Sequence, residues 1–547
     1  MTGWSYADVW EAIAGAVPNR PALVQGPRMV SWGDFDAHAD ALARRLLQAG
    51  LVRESKVAAF LYNSPEYLET YYAAFKAGFV PVNTNYRYGA HELTYLFDNA
   101  DAEAVVFHAG FAPVVDAIRA GLPQVKLWIA VAQPGHAVPP WAEDYEHIAS
   151  QPGPRALPTW GRSGDDMLFL YTGGTTGMPK GVMWRQDDLF NVLGAGGDLL
   201  AGLAPLSSPA EAGERALAVE RGEAPARGIM LAAAPLMHGT AQFTALGVLT
   251  GGGGVAALPS HRFNAVELWS EVERIGASSI AIVGQAFAQP MLEALEANPG
   301  RWDLSGLRRI GSSGTVWNHE NKQALLKHLP KDCVLYDSLG SSEAVGIGAS
   351  ASNAEDAAQT AKFMVGLNAA VFSEDGRRVE PGSGERGLIA TSGFLPMGYY
   401  KDPEKSARTF RVFEGRRWSV PGDFATVEAD GAMKLLGRGS QVINTGGEKV
   451  FPEEVEEALK RHPAVRDAVV VGVPDARFGE RICAVVDADP SLEPPTLEEL
   501  SRHVRGELAD YKAPRELVLA PVARAPNGKV DYKASRALAL DALKLPA

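Results

Sequence analysis

Cysteine is almost missing from this chain, which carries only Cys333 and Cys483. Two thiols make no disulfide framework, and they fit a reducing compartment, the cytoplasm. An excess of positive charge is missing too, because the formal net charge is −13. That excludes nonspecific nucleic-acid binding, which needs a basic face. It leaves phosphate ligands open, since a few placed cations bind them even on an acidic protein. No apolar run is long and clean enough to cross a membrane. The most apolar stretch, Met230 to Leu258, is broken by Pro235, His238, Gln242 and several glycines, and it predicts buried strands and a helix. The first residues, Met1-Thr2-Gly3-Trp4-Ser5-Tyr6-Ala7-Asp8, lack a basic region followed by an apolar one, so no signal peptide is expected. No internal repeat recurs at a fixed period.

What is present suits a large soluble protein. At 547 residues the chain is long enough for roughly three or four packing units. A hydrophobic fraction of 46% and a charged fraction of 21% are those of a globular protein with a sizeable core. Short apolar runs (Val57–Tyr62, Phe79–Val82, Ala104–Phe107, Ser279–Val283) alternate with helical patterns such as Glu69 to Ala77. This alternation predicts an α/β fold with layered, partly parallel sheets and helices. Residues 133–162, rich in Pro and Gly, read as a long surface connection. Leu199 to Arg227, loaded with Ala, Pro, Glu and Gly, reads either as a helical or mobile insertion or as a lid over a pocket. After Gly437 the character changes. Pro452 opens a helix that closes on Lys460-Arg461-His462, Val469–Val471 reads as a strand, and Thr496-Leu497-Glu498-Glu499 is a capping box. This last part is a small α+β domain of about a hundred residues.

The most informative string is Tyr171-Thr172-Gly173-Gly174-Thr175-Thr176-Gly177-Met178-Pro179-Lys180-Gly181-Val182, entered from the apolar run Met167–Leu170. Its glycines let backbone approach a ligand, and successive N–H groups of such a loop can converge on an anion. Thr172, Thr175 and Thr176 add hydroxyls, and Lys180 adds a mobile charge. The string is not a Walker A loop, because Met178-Pro179 separates Gly177 from Lys180 and Gly181 follows the lysine. A Gly/Thr-rich turn alone would fit a structural loop as well.

The whole string resembles the signature of the adenylate-forming superfamily, which comprises acyl-CoA synthetases, luciferases and the adenylation domains of peptide synthetases. Further motifs follow in the superfamily's order. Leu339-Gly340-Ser341-Ser342-Glu343 resembles its Tyr-Gly-x-Thr-Glu, with Leu339 in place of the aromatic residue that packs beside adenine. The resemblance implies that Glu343, with Thr172, holds Mg²⁺ and that Ser342 lies near the α-phosphate. Gly311-Ser312-Ser313-Gly314 aligns with an adenine-side segment, and Ser313, Gly314, Asp337 and Ser338 are expected on the nucleotide side. Pro421-Gly422-Asp423 resembles Thr-Gly-Asp, which implies that Asp423 accepts from the ribose hydroxyls. Gly437-Arg438 resembles the Gly-Arg that leads into the C-terminal domain, with Arg438 near ribose or phosphate. Gly439-Ser440 stands where relatives keep a hinge, although Ser440 replaces their Asp or Lys.

The resemblance also covers the C-terminal part. Gly446-Gly447-Glu448 matches a segment that meets the pantetheine arm of CoA, and as a plain turn it would equally well lead into the Pro452 helix. Pro526-Asn527-Gly528-Lys529 matches Pro-x-x-Gly-Lys, whose lysine enters the active site for adenylation, so Lys529 is the expected catalytic residue beside Glu343 and Thr172. On the acyl side the resemblance implies His238 as gate or wall, with Gly284, Gly314 and Gly340 as small pocket residues. Cys333 sits in an apolar run, where an inert buried thiol is expected.

The implied organisation is a large N-terminal domain, residues 1–437, a hinge at 438–440, and a small mobile C-terminal domain, 441–547. The implied reaction uses ATP, Mg²⁺ and CoA to convert a carboxylic acid to acyl-AMP plus diphosphate, then to acyl-CoA plus AMP. No acidic residue is placed to hold an amino acid's ammonium group, so a bulky apolar acid is expected, either a medium- or long-chain fatty acid or a steroid side-chain acid. The alternatives are a ligase that loads a carrier protein, an aryl-acid CoA ligase, and a noncatalytic nucleotide-binding protein. Partners are expected to be small molecules, without nucleic acid or a transmembrane segment, and a homodimer is compatible with the resemblance.

Overall fold

The computed structural model describes residues 3–546 apart from 174–177, 199–201, 225–226, 315–316, 318, 357–361, 374, 439–442, 451 and 524–530. It divides into two units. The first comprises Met1–Tyr86, Phe97–Tyr171 and Gly181–Leu436. The second takes in Gly437–Ala547 together with Arg87–Leu96 and Thr172–Lys180, so the expected boundary at residue 437 describes only its longest stretch.

Two sheets dominate the first unit. One runs in the order Gly398–Tyr399, Pro179–Arg185, Met167–Gly173, Val80–Asn83, Lys56–Phe60, Ala102–His108, Leu127–Val131, Glu143–Asp144. Its strands from Met167 to Asp144 are parallel. The other sheet has a parallel centre in the order Pro21–Gln25, Gly254–Ala257, Ile229–Ala232, Ser279–Ile282, Arg309–Ser313, Val334–Ser341. It then turns antiparallel at Ala344–Ser352 and continues into hairpins. Parallel strands buried on both faces need continuous apolar sequence, which is what Val80, Ala104–Phe107 and Ser279–Ile282 provide.

Helix Pro65–Ala77 is buried along its whole length. Pro65 follows the N-cap Ser64, and Gly78 closes the helix at φ 66° in the left-handed region. Burial on every side leaves its charges to be met internally. Lys76 Nζ lies 2.8 Å from Glu11, 2.7 Å from Asp36 and 3.0 Å from Asp40. Glu69 accepts from the Tyr145 hydroxyl at 2.6 Å and lies 2.8 Å from His38 Nδ1.

One loop expectation changes. The connection 133–162 contains the short strand Glu143–Asp144 and helix Tyr145–Ala149, recruited by burial of Tyr145 and Ile148 rather than by local periodicity. The insertion after Leu199 contains helix Pro209–Glu220, which packs on helix Tyr6–Ala16. The contact is so close that a Cβ on Gly213 would meet the Ala12 carbonyl at 2.8 Å. At its end, Arg227 donates to the carbonyls of Gly196 and Gly197 at 2.8 and 2.6 Å. The helix is the helical insertion that the composition allowed. Met230 to Leu258 forms strand Ile229–Ala232, helix Gly239–Thr250 and strand Gly254–Ala257, and no described helix is long and apolar enough to cross a membrane.

In the second unit, strands Val465–Asp475 and Gly479–Ala488 form a long hairpin extended by Ile443–Thr445, Glu448–Val450 and Glu516–Leu519. Alternation divides its valines. Ala468, Val470, Ala484 and Val486 share one core with Val455, Leu459, Leu500 and Val504 of helices Pro452–Lys460 and Leu497–Glu507. Val469, Val471, Val473 and Val485 share the other with Ala539 and Leu540 of helix Tyr532–Ala542. A sheet covered on both faces explains why Val469-Val470-Val471 is apolar without alternation.

His108, at the end of its strand, accepts from the Tyr62 N–H at 3.1 Å through Nδ1. Burial, opposed by Glu66 and helped by His261, pushes its pKa from 6.5 down to about 4. Between those values the unfolded chain binds a proton that the folded chain refuses, so this contribution is complete above pH 6.5 and is lost as pH falls toward 4. The full effect is about 3 kcal/mol. His108→Asn keeps an acceptor and removes the titration. Urea unfolding should therefore show a shallower loss of stability across this window in the variant, and parallel curves would refute the role of His108.

Candidate active site

Ser313, Ser338 and Ser342, expected on the nucleotide side, stand at or just beyond the carboxyl ends of the parallel strands Arg309–Ser313 and Val334–Ser341, where open α/β sheets bind ligands. Strand Arg309–Ser313 pairs with strand Val334–Ser341, setting Ser312 opposite Asp337 and Ser313 opposite Ser338. A register irregularity at Gly340 leads into the turn Ser342-Glu343, after which Ala344 pairs back to Ser341. A Cβ on Gly340 would meet the Ala344 carbonyl at 3.1 Å, so the tight turn is suited to glycine. The Glu343 carboxylate accepts from the Tyr399 hydroxyl at 2.7 Å, and the Ser342 carbonyl accepts from the Trp184 indole N–H at 3.0 Å. Asp423 begins strand Asp423–Val427 and is half-buried.

Strand alternation separates two residues expected on the same side. Asp337 lies on the buried face with Leu335, 3.2 Å from the Lys322 ammonium of helix His319–Leu326, while Ser338 lies on the opposite, half-buried face. Burial, partly offset by Lys322, raises the Asp337 pKa to about 6. Its carboxylate is thus occupied in bracing the strand from behind.

Three of the stretches expected on the acyl side meet around Gly314, while Gly340 packs against Ala344. Gly314 has φ +92°, and a Cβ there would stand 3.6 Å from Val283 and 3.7 Å from the Thr240 hydroxyl. Val283 precedes Gly284, whose N–H donates to Ser312 Oγ at 2.9 Å and which starts helix Gly284–Ala297. Thr240 belongs to helix Gly239–Thr250, whose N-cap is the half-buried His238. Three distant stretches, around residues 238, 284 and 314, therefore converge on one place.

In the second unit, Thr172 and Gly173 end strand Met167–Gly173, and the half-buried Lys180 lies in strand Pro179–Arg185. Gly174, Thr175, Thr176 and Gly177 lie outside the described residues, as do Gly439, Ser440 and Lys529. Arg438 closes strand Met433–Arg438. Gly446 and Gly447, at φ 60° and 86°, form the two-residue turn of a hairpin in which Thr445 pairs with Glu448. The buried Glu448 carboxylate accepts from Arg87 at 3.0 Å. Cys333 and Cys483 are buried, and burial first of all pushes each thiol up to about 12, which leaves them inert.

Sequence reasoning missed Tyr399, Trp184, Thr240, the half-buried Asn63 and the buried Asn83. None of them stands in a string the sequence singles out, because each makes its contacts across the fold.

The layered α/β fold, the Thr/Gly-rich string and the Ser-Ser-Glu turn are those expected of a nucleotide-dependent, carboxylate-activating enzyme, and the comparisons with known proteins show that class. The chain belongs to the AMP-binding enzyme family, in its acyl-CoA synthetase branch. The family's AMP-binding enzyme model matches residues 10–400, and the model of its C-terminal domain matches residues 454–529. The chain is 39% identical over 540 residues to a medium/long-chain-fatty-acid–CoA/3-oxocholest-4-en-26-oate–CoA ligase of Mycolicibacterium smegmatis, covering 96% of this chain and 95% of that protein. It is 40% identical over 537 residues to a 3-oxocholest-4-en-26-oate–CoA ligase of Rhodococcus rhodochrous, covering 96% and 94%. Its fold matches amide bond synthetase McbA from Marinactinospora thermotolerans with a TM-score of 0.77 at 22% identity, over 98% of this chain and 99% of that one. As an AMP-forming acid–thiol ligase it uses ATP, CoA and a small carboxylic acid.

The Tyr399 hydroxyl donates to Glu343, the carboxylate expected on the metal side, and outer-shell partners of ligating carboxylates are worth roughly tenfold in affinity or activity. Tyr399→Phe should lower turnover by about that factor with little change in thermal midpoint. Unchanged turnover would remove Tyr399 from the site.

Proposed function

We propose that the chain activates a hydrophobic carboxylic acid, either a medium- or long-chain fatty acid or a steroid side-chain acid, and passes it to CoA. The observation that carries this reading is the near full-length similarity to ligases named for those acids. The acyl side is compatible with a bulky apolar chain. Thr240, Thr244 and Gly247 share one face of their helix, Thr244 is exposed, and Gly314 keeps the facing position free of a side chain.

In the first half-reaction a carboxylate oxygen bonds to the α-phosphorus of ATP and diphosphate leaves. Two anions must meet, so cations have to offset their repulsion. We assign that role to Lys529, which would bridge the carboxylate and the α-phosphate. The Thr172–Lys180 loop would hold the departing diphosphate, and Asp423 would accept from the ribose hydroxyls. Glu343 and Thr172 would be the residues to hold Mg²⁺, since a carboxylate and a hydroxyl offer the oxygen donors that a hard cation prefers. When bound, that ion would neutralise charge on the diphosphate. In the second half-reaction the CoA thiolate attacks the acyl carbonyl and AMP leaves. Gly446, Gly447 and Glu448 are assigned to the pantetheine arm, with Gly439-Ser440 as the pivot. Two buried free thiols fit a cytoplasmic enzyme.

The test is thioester formation with ATP, Mg²⁺ and free CoA across fatty acids of short to long chain, aryl acids and steroid side-chain acids. The expected result is a CoA thioester with the longer fatty or steroid acids. AMP release without thioester would point to a carrier-protein acceptor, preference for aryl acids would replace the substrate class, and nucleotide binding without turnover would favour the noncatalytic reading. Lys529→Ala should abolish adenylation and leave thioester formation from supplied acyl-adenylate largely intact. Equal loss in both half-reactions would refute that role.

A further inference from the structure

Asn83 ends the strand Val80–Asn83 and is buried. The parallel ladder between that strand and Met167–Gly173 has the registered pair Val82 and Phe169. Two residues further along, Tyr171 is met by a side chain. Its N–H donates to Asn83 Oδ1 at 2.5 Å, and its carbonyl accepts from Asn83 Nδ2 at 2.9 Å. The second Nδ2 proton goes to the Met237 carbonyl at 2.7 Å. One donor and two acceptors around the amide fix its orientation, since a reversed amide would face its oxygen toward two carbonyls.

The partners give this arrangement its meaning. Tyr171 immediately precedes Thr172, where the phosphate-loop motif begins, and Met237 immediately precedes His238 at the head of the acyl-side helix. Asn63 strengthens the same junction. Its Nδ2 donates to the carbonyls of Ala232 and Ala234 at 3.0 and 2.9 Å, and its Oδ1 accepts from Leu236 N–H at 2.7 Å. The segment from Ala232 to Met237 is thereby tied to strand ends of the other sheet, and Asn83 alone of the two asparagines also holds Tyr171.

We propose that Asn83 is a positioning residue for adenylation, fixing the backbone from which the phosphate loop departs against the backbone from which the acyl-side wall departs. This rests on the adenylation reading above. Each half-site keeps its own groups when Asn83 is replaced, so what is lost is their mutual placement. Displacement of about 1 Å between reacting groups can cost roughly a hundredfold in rate.

The experiment uses the full-length enzyme, wild type, Asn83→Asp and Asn83→Ala, with acid-dependent exchange of diphosphate into ATP as the readout. The aspartate is isosteric and keeps the acceptor for Tyr171 while losing both amide donors. The alanine loses all three bonds and guards against a variant that fails to fold through a buried charge. Thermal midpoints and the fraction of folded protein are recorded for each, so that rates refer to folded enzyme. The expected result is a kcat lowered ten- to a hundredfold with the KM for ATP and for acid each within about threefold of wild type. Retained kcat, with only a lower midpoint, overturns the proposal, as does a loss confined to either KM. Wild-type enzyme that exchanges with no acid overturns the adenylation reading and this proposal with it, an outcome distinct from active wild type with active variants.

Discussion

Where the strands of two parallel sheets end, the backbone runs out of ladder partners, and two asparagines, the half-buried Asn63 and the buried Asn83, take over. Asn63 and Asn83 each make three hydrogen bonds to main-chain groups at the points where functional segments leave the sheets. A buried peptide group left unmet costs roughly 1–3 kcal/mol, so these amides fix the course of the chain as a ladder would. An amide offers both donors and an acceptor in one plane, which hydroxyl and carboxylate side chains cannot match here.

The same logic governs the nucleotide side. Strand alternation puts Ser338 on one face and Asp337 on the other, so neighbours in sequence serve different purposes. Asp337 and Lys322 brace the strand inside the fold, a pairing whose value lies less in net stability than in the cost of leaving either charge alone. Beyond Gly340 the chain turns so that Glu343 meets Tyr399, a residue far along the chain. Burial around helix Pro65–Ala77 imposes a comparable demand, met by three carboxylates around Lys76.

Local chemistry was most legible where it acts locally. The capping box at Thr496 is present as expected, with Glu499 reciprocating. Pro452 opens its helix, and the unbroken Val469–Val471 run lies in a strand covered on both faces. The glycines at 446 and 447 form a hairpin turn because both adopt positive φ. Where burial overrode composition, the reading was incomplete. The connection 133–162 carries a strand and a helix despite its Pro and Gly content, and the segment after Leu199 carries a helix docked on the N-terminal one.

The sequence by itself determined the family, the reaction class and the order of the motifs, because glycines, hydroxyls and charges in fixed short strings specify turns and ligand chemistry without outside help. It also determined the layered α/β character, since apolar runs of strand length alternate with helical periods. Only the tertiary structure decided which motif residues share a face, that Asp337 turns inward, that residues near 238, 284 and 314 converge, and that Asn63 and Asn83 tie the 232–237 segment to strand ends of the other sheet. Those outcomes depend on partners tens to hundreds of residues away, and a side chain's role there is set by what burial leaves unpaired beside it.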